Sequence, residues 1–201
     1  MEQTTKKKKP AGARRKVRRR RTITGTTVVS VILLAVVGIV ALAVYQTLAA
    51  RAEASKPIEG VEQFPALERG HVQGAVAYAQ TPPVGGPHEP AWQNCGAYTQ
   101  PLQNENAVHS LEHGAVWITY RPDLPAAEIQ QLQDLARQSG YRLLSPYPDL
   151  PSPIVISAWG YQLKLERADD PRLMRFIQKY ELSPLAPEPG APCTGGVGQP
   201  G

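Results

Sequence analysis

The residues best suited to chemistry form one short motif, His109-Ser110-Leu111-Glu112-His113, which fits the H-x-x-E-H pattern of inverted zinc proteases. On a helix, positions 109, 112 and 113 share one face. Two imidazoles could then hold zinc while Glu112 acts as a base on a bound water molecule. One hypothesis is therefore a zinc-dependent hydrolase with Glu112 as its catalytic residue. A helix of only about two and a half turns before Gly114, in a domain small for a protease, counts against it.

A plainer metal site would use the same histidines without catalysis. All four histidines of the chain fall between residues 71 and 113: His71, His88, His109 and His113. Imidazoles four residues apart on a helix can bind a divalent transition metal. We expect His88, His109 and His113 to hold zinc or copper, with Cys95 as another candidate for closing the site. The structural alternative is a His–Glu pair that holds a proline-rich loop against a strand by hydrogen bonds.

The chain has only two cysteines, Cys95 and Cys193. Two cysteines cannot build a disulfide-rich scaffold or a four-cysteine zinc site. If both lie outside the membrane, a disulfide between them would persist and would contribute about 4–5 kcal/mol in the chain-entropy model. We expect this bond, which would pin the C-terminal tail to the loop around Cys95. The alternative role of Cys95 as a ligand or nucleophile would leave Cys193 without a function.

The net charge of +5 comes from one end of the chain. Residues 1–21 carry 11 of the 22 basic residues and one acid, whereas residues 22–201 hold 11 basic and 16 acidic residues. An uncharged, mostly apolar run at 22–50 follows the basic block and is long enough for a transmembrane helix. The positive-inside rule places residues 1–21 in the cytoplasm, on anionic headgroups. The membrane explains the whole charge block, so we expect no nucleic-acid partner. A signal peptide would have a shorter apolar region.

The rest of the chain has the pattern of one α+β domain. We expect a stalk at 51–64, an extracytoplasmic domain at 65–182 and a Pro/Gly-rich tail at 183–201. The expected elements are a strand at 71–78, a long proline-rich loop, a short helix before Gly114, and then strand, helix, three strands and a final helix. This order predicts a small mixed β-sheet packed with two to three helices. No G-x-S-x-G or Walker A motif is present, and the G-x-G-x-x-G spacing at 196–201 lies in the Pro/Gly-rich tail and not between a strand and a helix, so no nucleotide cofactor is expected.

Several motifs fall in order along this domain. They are Pro82-Pro83-Val84-Gly85-Gly86-Pro87-His88, Trp92-Gln93-Asn94-Cys95-Gly96, His109-Ser110-Leu111-Glu112-His113-Gly114-Ala115-Val116-Trp117 and Ala191-Pro192-Cys193-Thr194-Gly195-Gly196. Together they resemble a bacterial family with a domain of unknown function, common in high-GC Gram-positive bacteria. The resemblance covers roughly residues 65–196. It implies a basic N-terminus, one membrane span and an outer envelope domain, and it carries no established activity.

These observations predict a single-pass membrane protein of the cell envelope, with its N-terminus in the cytoplasm and its C-terminal domain outside. The domain is expected to bind a metal ion or a protein partner, such as another envelope protein, through the segment 88–113. The alternative is the zinc-dependent hydrolase that uses Glu112.

Overall fold

The computed structural model describes residues 25–201 and divides the chain into two compact units, of which the first ends at Ala49. Helix α1 spans Gly25–Ser55. Within it, the apolar stretch Val28–Ala49 has 22 residues and is the one helix in the described part of the chain long and apolar enough to cross a membrane. At ~1.5 Å per residue it covers ~33 Å, against ~30 Å of bilayer hydrocarbon. The basic tail at 1–21 lies outside the described residues.

The second unit is built on a mixed six-stranded sheet. Its strands are β1 (Val61–Gln63), β2 (Gly96–Ala97), β3 (Val116–Tyr120), β4 (Arg142–Pro146), β5 (Ile154–Ala158) and β6 (Tyr161–Leu165). The spatial order is β1-β6-β5-β3-β4-β2, with β4 parallel to both β3 and β2 and the other pairs antiparallel. The helices are α2 (Asn104–Glu112), α3 (Ala126–Ala136) and α4 (Pro171–Tyr180). The predicted α+β class is confirmed.

The side chains of β3 show how the sheet separates its two faces. Ile118 packs in one buried cluster with Leu132 of α3 and Phe176 of α4. Its neighbour Trp117 packs in a second cluster that includes Leu111 of α2. Because successive side chains of a strand point to opposite faces, α3 and α4 cover one face and α2 covers the other. All five residues of β3 are buried, which explains its continuous apolar run.

The expected strand at 71–78 is wrong. His71 forms only an isolated bridge to His88, and the backbone N–H groups of Gly74 and Val76 donate to side-chain carboxylates instead of to a neighbouring strand. The first strand of the sheet is β1, inside the segment 51–64 that the sequence indicated as a stalk. Its three residues pair with β6. A strand so short carries too little apolar alternation to be recognised from sequence.

The C-terminal tail is an ordered part of this unit although it has no helix or strand. Val197 forms a bridge with Gln93, and Gly201 donates its backbone N–H to the carbonyl of Ala97 at 2.9 Å. The tail therefore satisfies the backbone of residues 93–97, which a Pro/Gly-rich composition alone does not reveal.

A buried ion pair joins the ends of three elements and yields a stability prediction. Arg142 of β4 donates to Glu181 Oε2 from Nε at 3.1 Å and from Nη2 at 2.9 Å, and to the Leu135 carbonyl of α3 at 2.8 Å. Replacing Arg142 by methionine leaves a largely buried carboxylate without its cation. We expect a loss of about 3 kcal/mol in the free energy of unfolding, measured by urea titration. The double variant R142M/E181L should recover most of the lost free energy. Equal losses in the single and double variants would contradict the role of Arg142 as the cation that pairs with Glu181.

Candidate metal centre

His88 reaches the second face of the sheet at the end of the proline-rich loop. Its side chain is fully buried, at 0% exposure. Its Nδ1 lies 2.7 Å from the carbonyl oxygen of Gly86, and its Nε2 lies 2.9 Å from Oε2 of Glu112. Two backbone hydrogen bonds, from Val72 N–H to the His88 carbonyl and from His88 N–H to the Gly70 carbonyl, bring His71 beside it. The loop thus supplies one buried imidazole and aligns a second.

Helix α2 supplies two more side chains. His109 and Glu112 are three residues apart on one face of the helix and are 4% and 6% exposed. The helix ends at Glu112, and Gly114 follows with a φ of +92°, a left-handed conformation that favours glycine. The predicted end of this short helix is therefore observed, and it fixes where the motif leaves the helix.

Backbone carbonyls determine which ring nitrogen of three imidazoles is free. Each of the three Nδ1 atoms lies 2.7 Å from a backbone carbonyl oxygen. The carbonyl belongs to Gly86 for His88, to Glu89 for His109 and to Pro192 for His113. A carbonyl oxygen only accepts hydrogen bonds, so each Nδ1 carries the proton. In the neutral rings the lone pair then lies on Nε2. This is the arrangement found in metal-binding histidines, whose second nitrogen donates to a carbonyl or carboxylate.

The contact between His88 and Glu112 requires a proton or a metal ion between the two atoms. With the proton of His88 on Nδ1, both Nε2 and the carboxylate oxygen offer lone pairs at a separation of only 2.9 Å. Two acceptors approach this closely only when a proton or a metal ion lies between them. A proton on either atom would make this contact a hydrogen bond, which is the structural alternative predicted from the sequence. A metal ion bound by both lone pairs would also satisfy the two atoms.

The structure assembles a four-residue group that could hold a metal ion: His71, His88, His109 and Glu112. One ligand atom from each residue lies within 4.8 Å of all the others. In a tetrahedral zinc site with bonds of about 2.0–2.1 Å, ligand atoms are about 3.3 Å apart. A tetrahedral zinc ion therefore requires the widest separations to shorten by up to about 1.5 Å, while the 2.9 Å contact between His88 and Glu112 lengthens slightly. His71 is exposed whereas the other three members are buried, so His71 is the member that is free to move inward.

The sequence motif divides at the end of the helix. His109 and Glu112 belong to the four-residue group, whereas His113 follows the last helical residue and donates to Pro192 of the tail. Its Nε2 lies 3.9 Å from an exposed carboxylate, that of Glu188. Of the predicted ligands His88, His109 and His113, the group contains the first two. It adds His71, which the sequence shows as one of four clustered histidines. Its place beside His88 depends on the backbone bridge between them, which the sequence does not indicate.

Burial lowers the pKa of His109 to about 4. The neighbouring imidazoles of His113, His88 and His71 lower it further, while the hydrogen bond to the Glu89 carbonyl opposes the change. A proton added to Nε2 would place a charge among three other rings with little water to solvate it. His109 is therefore neutral at pH 7, with its Nε2 lone pair available to a metal ion.

This pKa predicts how the metal-free protein responds to acid. The pKa of His109 is about 6.5 when unfolded and about 4 when folded, so the unfolded chain takes up the proton more readily between these values. The contribution of His109 to the free energy of unfolding is complete above pH 6.5. It is lost as the pH falls to 4, and the loss reaches about 3 kcal/mol. Urea titrations should show a shallower decline with pH in His109→Gln than in the unaltered chain. Parallel curves would rule out this assignment.

The two cysteines and the tail lie beside this group. The sulfur atoms of Cys95 and Cys193 are 1.98 Å apart and form a disulfide, and Cys193 is 3% exposed. The backbone N–H of Cys95 also donates to the Cys193 carbonyl at 2.8 Å. No free thiol exists in the described residues, so the site draws on nitrogen and oxygen donors.

These features define an α+β domain with a His3Glu group that could hold a metal ion, in a chain with one N-terminal helix apolar enough to cross a membrane. Residues 71–195 match the family described as Protein of unknown function (DUF3105), and this range is more than half of the 201 residues. The chain therefore belongs to the DUF3105 family. No curated protein and no solved structure is significantly similar to it.

Proposed function

We propose that this chain is a single-pass membrane protein whose outer domain binds one zinc or copper ion through His71, His88, His109 and Glu112. The observation that carries the proposal is the close approach of four ligand atoms, within 4.8 Å, around the 2.9 Å contact between His88 and Glu112. The fixed tautomers of His88 and His109 prepare two Nε2 atoms for the ion before it arrives.

The donor set selects the kind of metal. Three imidazole nitrogens and one carboxylate oxygen suit Zn²⁺ and Cu²⁺, whereas Cu⁺ prefers sulfur ligands and Mg²⁺ and Ca²⁺ prefer all-oxygen sites. The only two sulfur ligands of the cysteine type are joined in a disulfide. At equal availability Cu²⁺ binds such a site more tightly than Zn²⁺.

The arrangement supports binding over hydrolysis. Four protein ligands complete a tetrahedral zinc site, whereas a catalytic zinc keeps one position open for water or substrate. In the H-x-x-E-H hypothesis Glu112 is a free base and His113 is a ligand. In the structure the Glu112 carboxylate contacts His88, and the Nδ1 of His113 contacts the tail.

The burial of α2 favours a metal ion over a protein partner as the ligand of segment 88–113. His88, His109 and Glu112 are at most 6% exposed, so a folded protein could not contact their side chains directly. A single metal ion needs no such surface, because the buried side chains bind it directly.

The membrane orientation rests on two features. The basic residues at 1–21 precede the apolar stretch, which by the positive-inside rule keeps the N-terminus in the cytoplasm. The Cys95–Cys193 disulfide suits an oxidising compartment outside the cell membrane. Protease added to intact cells whose outer surface has been exposed should cleave the second unit, and digestion only after lysis would contradict this orientation.

The test of metal binding uses the full chain in detergent, purified with a tag that contains no histidine. After equilibration with Zn²⁺ or Cu²⁺ and removal of free metal, elemental analysis should find one equivalent per chain. The His88→Ala variant should contain no bound metal. Glu112→Gln separates the two functions, because a ligand role predicts weaker metal binding, whereas a general base predicts full metal content with hydrolysis lost. An absence of bound metal in the unaltered chain would overturn the proposal.

A further inference from the structure

The four members of the metal group differ sharply in how firmly they are held. His88, His109 and Glu112 are 0%, 4% and 6% exposed, and two of them have a ring nitrogen fixed by a carbonyl. His71 is exposed, and within the described residues no hydrogen bond holds either of its ring nitrogens. Its ring only stacks on His109, with centroids 4.8 Å apart, and meets His88 edge-on at 5.1 Å.

His71 lies on a strap, defined here as residues 68–75, all of which are exposed. The strap has no helix or strand and runs between two anchored points. Leu67 packs against the cluster around Trp117, and Tyr78, which also packs there, donates its hydroxyl to the Pro87 carbonyl at 2.7 Å. Between these points the strap buries no apolar side chain that would hold it down, so its opening costs little hydrophobic free energy.

Hydrogen bonds from the neighbourhood of the other ligands hold the strap in place. Glu89, next to His88, accepts from the backbone N–H of Gly74 at 2.8 Å. Glu105, one turn before His109 on α2, accepts from Val76 just beyond the strap, also at 2.8 Å. Gly70 and Val72, on either side of His71, also form the two backbone hydrogen bonds with His88, at 3.0 and 2.8 Å. The attachment thus consists of hydrogen bonds, without packed apolar side chains. Contacts of this kind exchange readily with water, whereas packed apolar side chains do not.

We propose that His71 is the exchangeable ligand through which the metal ion enters and leaves, and that the domain transfers its ion to an acceptor. This inference rests on the proposed metal binding. The bond from the metal to the His71 nitrogen breaks, and the lone pair of an incoming donor forms the replacement bond. His71 leaves as a neutral imidazole, the ion keeps its charge, and no electron is transferred. The three buried ligands hold the ion until the incoming donor has bound.

The chemistry of the acceptor follows from the state in which three buried ligands hold the ion and the position of His71 is vacant. It must offer a nitrogen, oxygen or sulfur lone pair on a donor able to reach the exposed side of the site. Because hydrogen bonds and not packed side chains hold the strap, it opens and closes faster than a donor binds at the vacated position, so the exchange rate should rise with the acceptor concentration. A permanently enclosed structural ion behaves differently, since it leaves only when the site itself opens and its rate is independent of the acceptor.

The test measures zinc extraction from the full chain in detergent by stopped flow, with a coloured chelator at several concentrations. The observed rate should rise in proportion to chelator concentration. His71→Ala should still bind zinc but lose it more than about tenfold faster, since even partners outside the ligand shell change metal affinity about 10- to 100-fold. Glu105→Gln should fall between the two. Gln73→Ala, an exposed change in the same strap, is the matched control and should match the unaltered chain.

The outcomes separate this inference from the proposed function. If the unaltered chain binds zinc but the extraction rate is independent of chelator concentration and unchanged in His71→Ala, the exchange role is wrong while metal binding stands. If His71→Ala and Gln73→Ala accelerate extraction equally, the strap rather than its histidine controls release, and the assignment to His71 fails. If the unaltered chain binds no zinc, both proposals fail.

Discussion

His109→Gln should abolish tight metal binding, whereas His113→Gln should leave it nearly unchanged. The two residues form a matched pair. They lie four positions apart, are 4% and 3% exposed, and each directs Nδ1 to a backbone carbonyl at 2.7 Å. Only His109 belongs to the metal group. Binding of about 10–16 kcal/mol shared among four zinc ligands is about 3 kcal/mol each, so losing one should raise Kd at least a hundredfold, to order of magnitude.

Competition with a chelator of known affinity would measure both Kd values in detergent. Thermal unfolding of the two metal-free variants is the control, because both variants lose one hydrogen bond to a carbonyl and should lose similar stability. A large rise in Kd for His113→Gln would restore it as a ligand, as the H-x-x-E-H motif suggests. Similar Kd values for both variants would remove the assigned group altogether.

Removing the disulfide should cause the largest loss of stability. Cys95 and Cys193 are 98 positions apart, and a loop of that length restricts the unfolded chain by about 4–5 kcal/mol in the chain-entropy model. The bond also keeps the tail beside residues 93–97, where Asn94 donates to the Gly198 carbonyl at 2.7 Å. In the double variant C95S/C193S, we expect the urea midpoint to fall by roughly 1.5–3 M. This shift is the loss in free energy of unfolding divided by the slope of that free energy against urea concentration.

Tryptophan fluorescence suits this measurement, because all three tryptophans lie in the second unit, at positions 92, 117 and 159. Reduction of the unaltered chain provides the control and should reproduce the midpoint of the double variant. Metal affinity should change less than stability, since neither cysteine is a member of the metal group. A loss below about 1 kcal/mol would mean that the tail and loop stay together without the bond.

The central strands and helices could be predicted because their sequence patterns reflect burial directly. β3 is buried at every position, and α4 places Leu173, Phe176 and Ile177 in the core. β1 and the tail could not be predicted in the same way. Their order depends on partners far away in sequence, such as β6 for β1 and residues 93–97 for the tail, and neither carries a periodic apolar pattern of its own.

The candidate site shows the same division between local and distant information. The motif identified His109 and Glu112 because three-residue spacing on a helix is a local property. It also suggested His113, but the helix ends one residue earlier, and the ring turns to the carbonyl of Pro192. His71 reaches the group through two backbone hydrogen bonds to the loop at His88, a contact between irregular segments that has no sequence signature.

X-ray absorption spectroscopy of the zinc-loaded full chain identifies the atoms bound to zinc by their type and distance. The proposed site predicts a first shell of four nitrogen and oxygen atoms at about 2.0–2.1 Å, with the outer-shell scattering of three imidazoles. His71→Ala should remove one imidazole from that count, and His113→Ala should remove none. A sulfur contribution at about 2.3 Å, or a zinc shell with fewer than two imidazoles, would contradict a site made of His71, His88, His109 and Glu112.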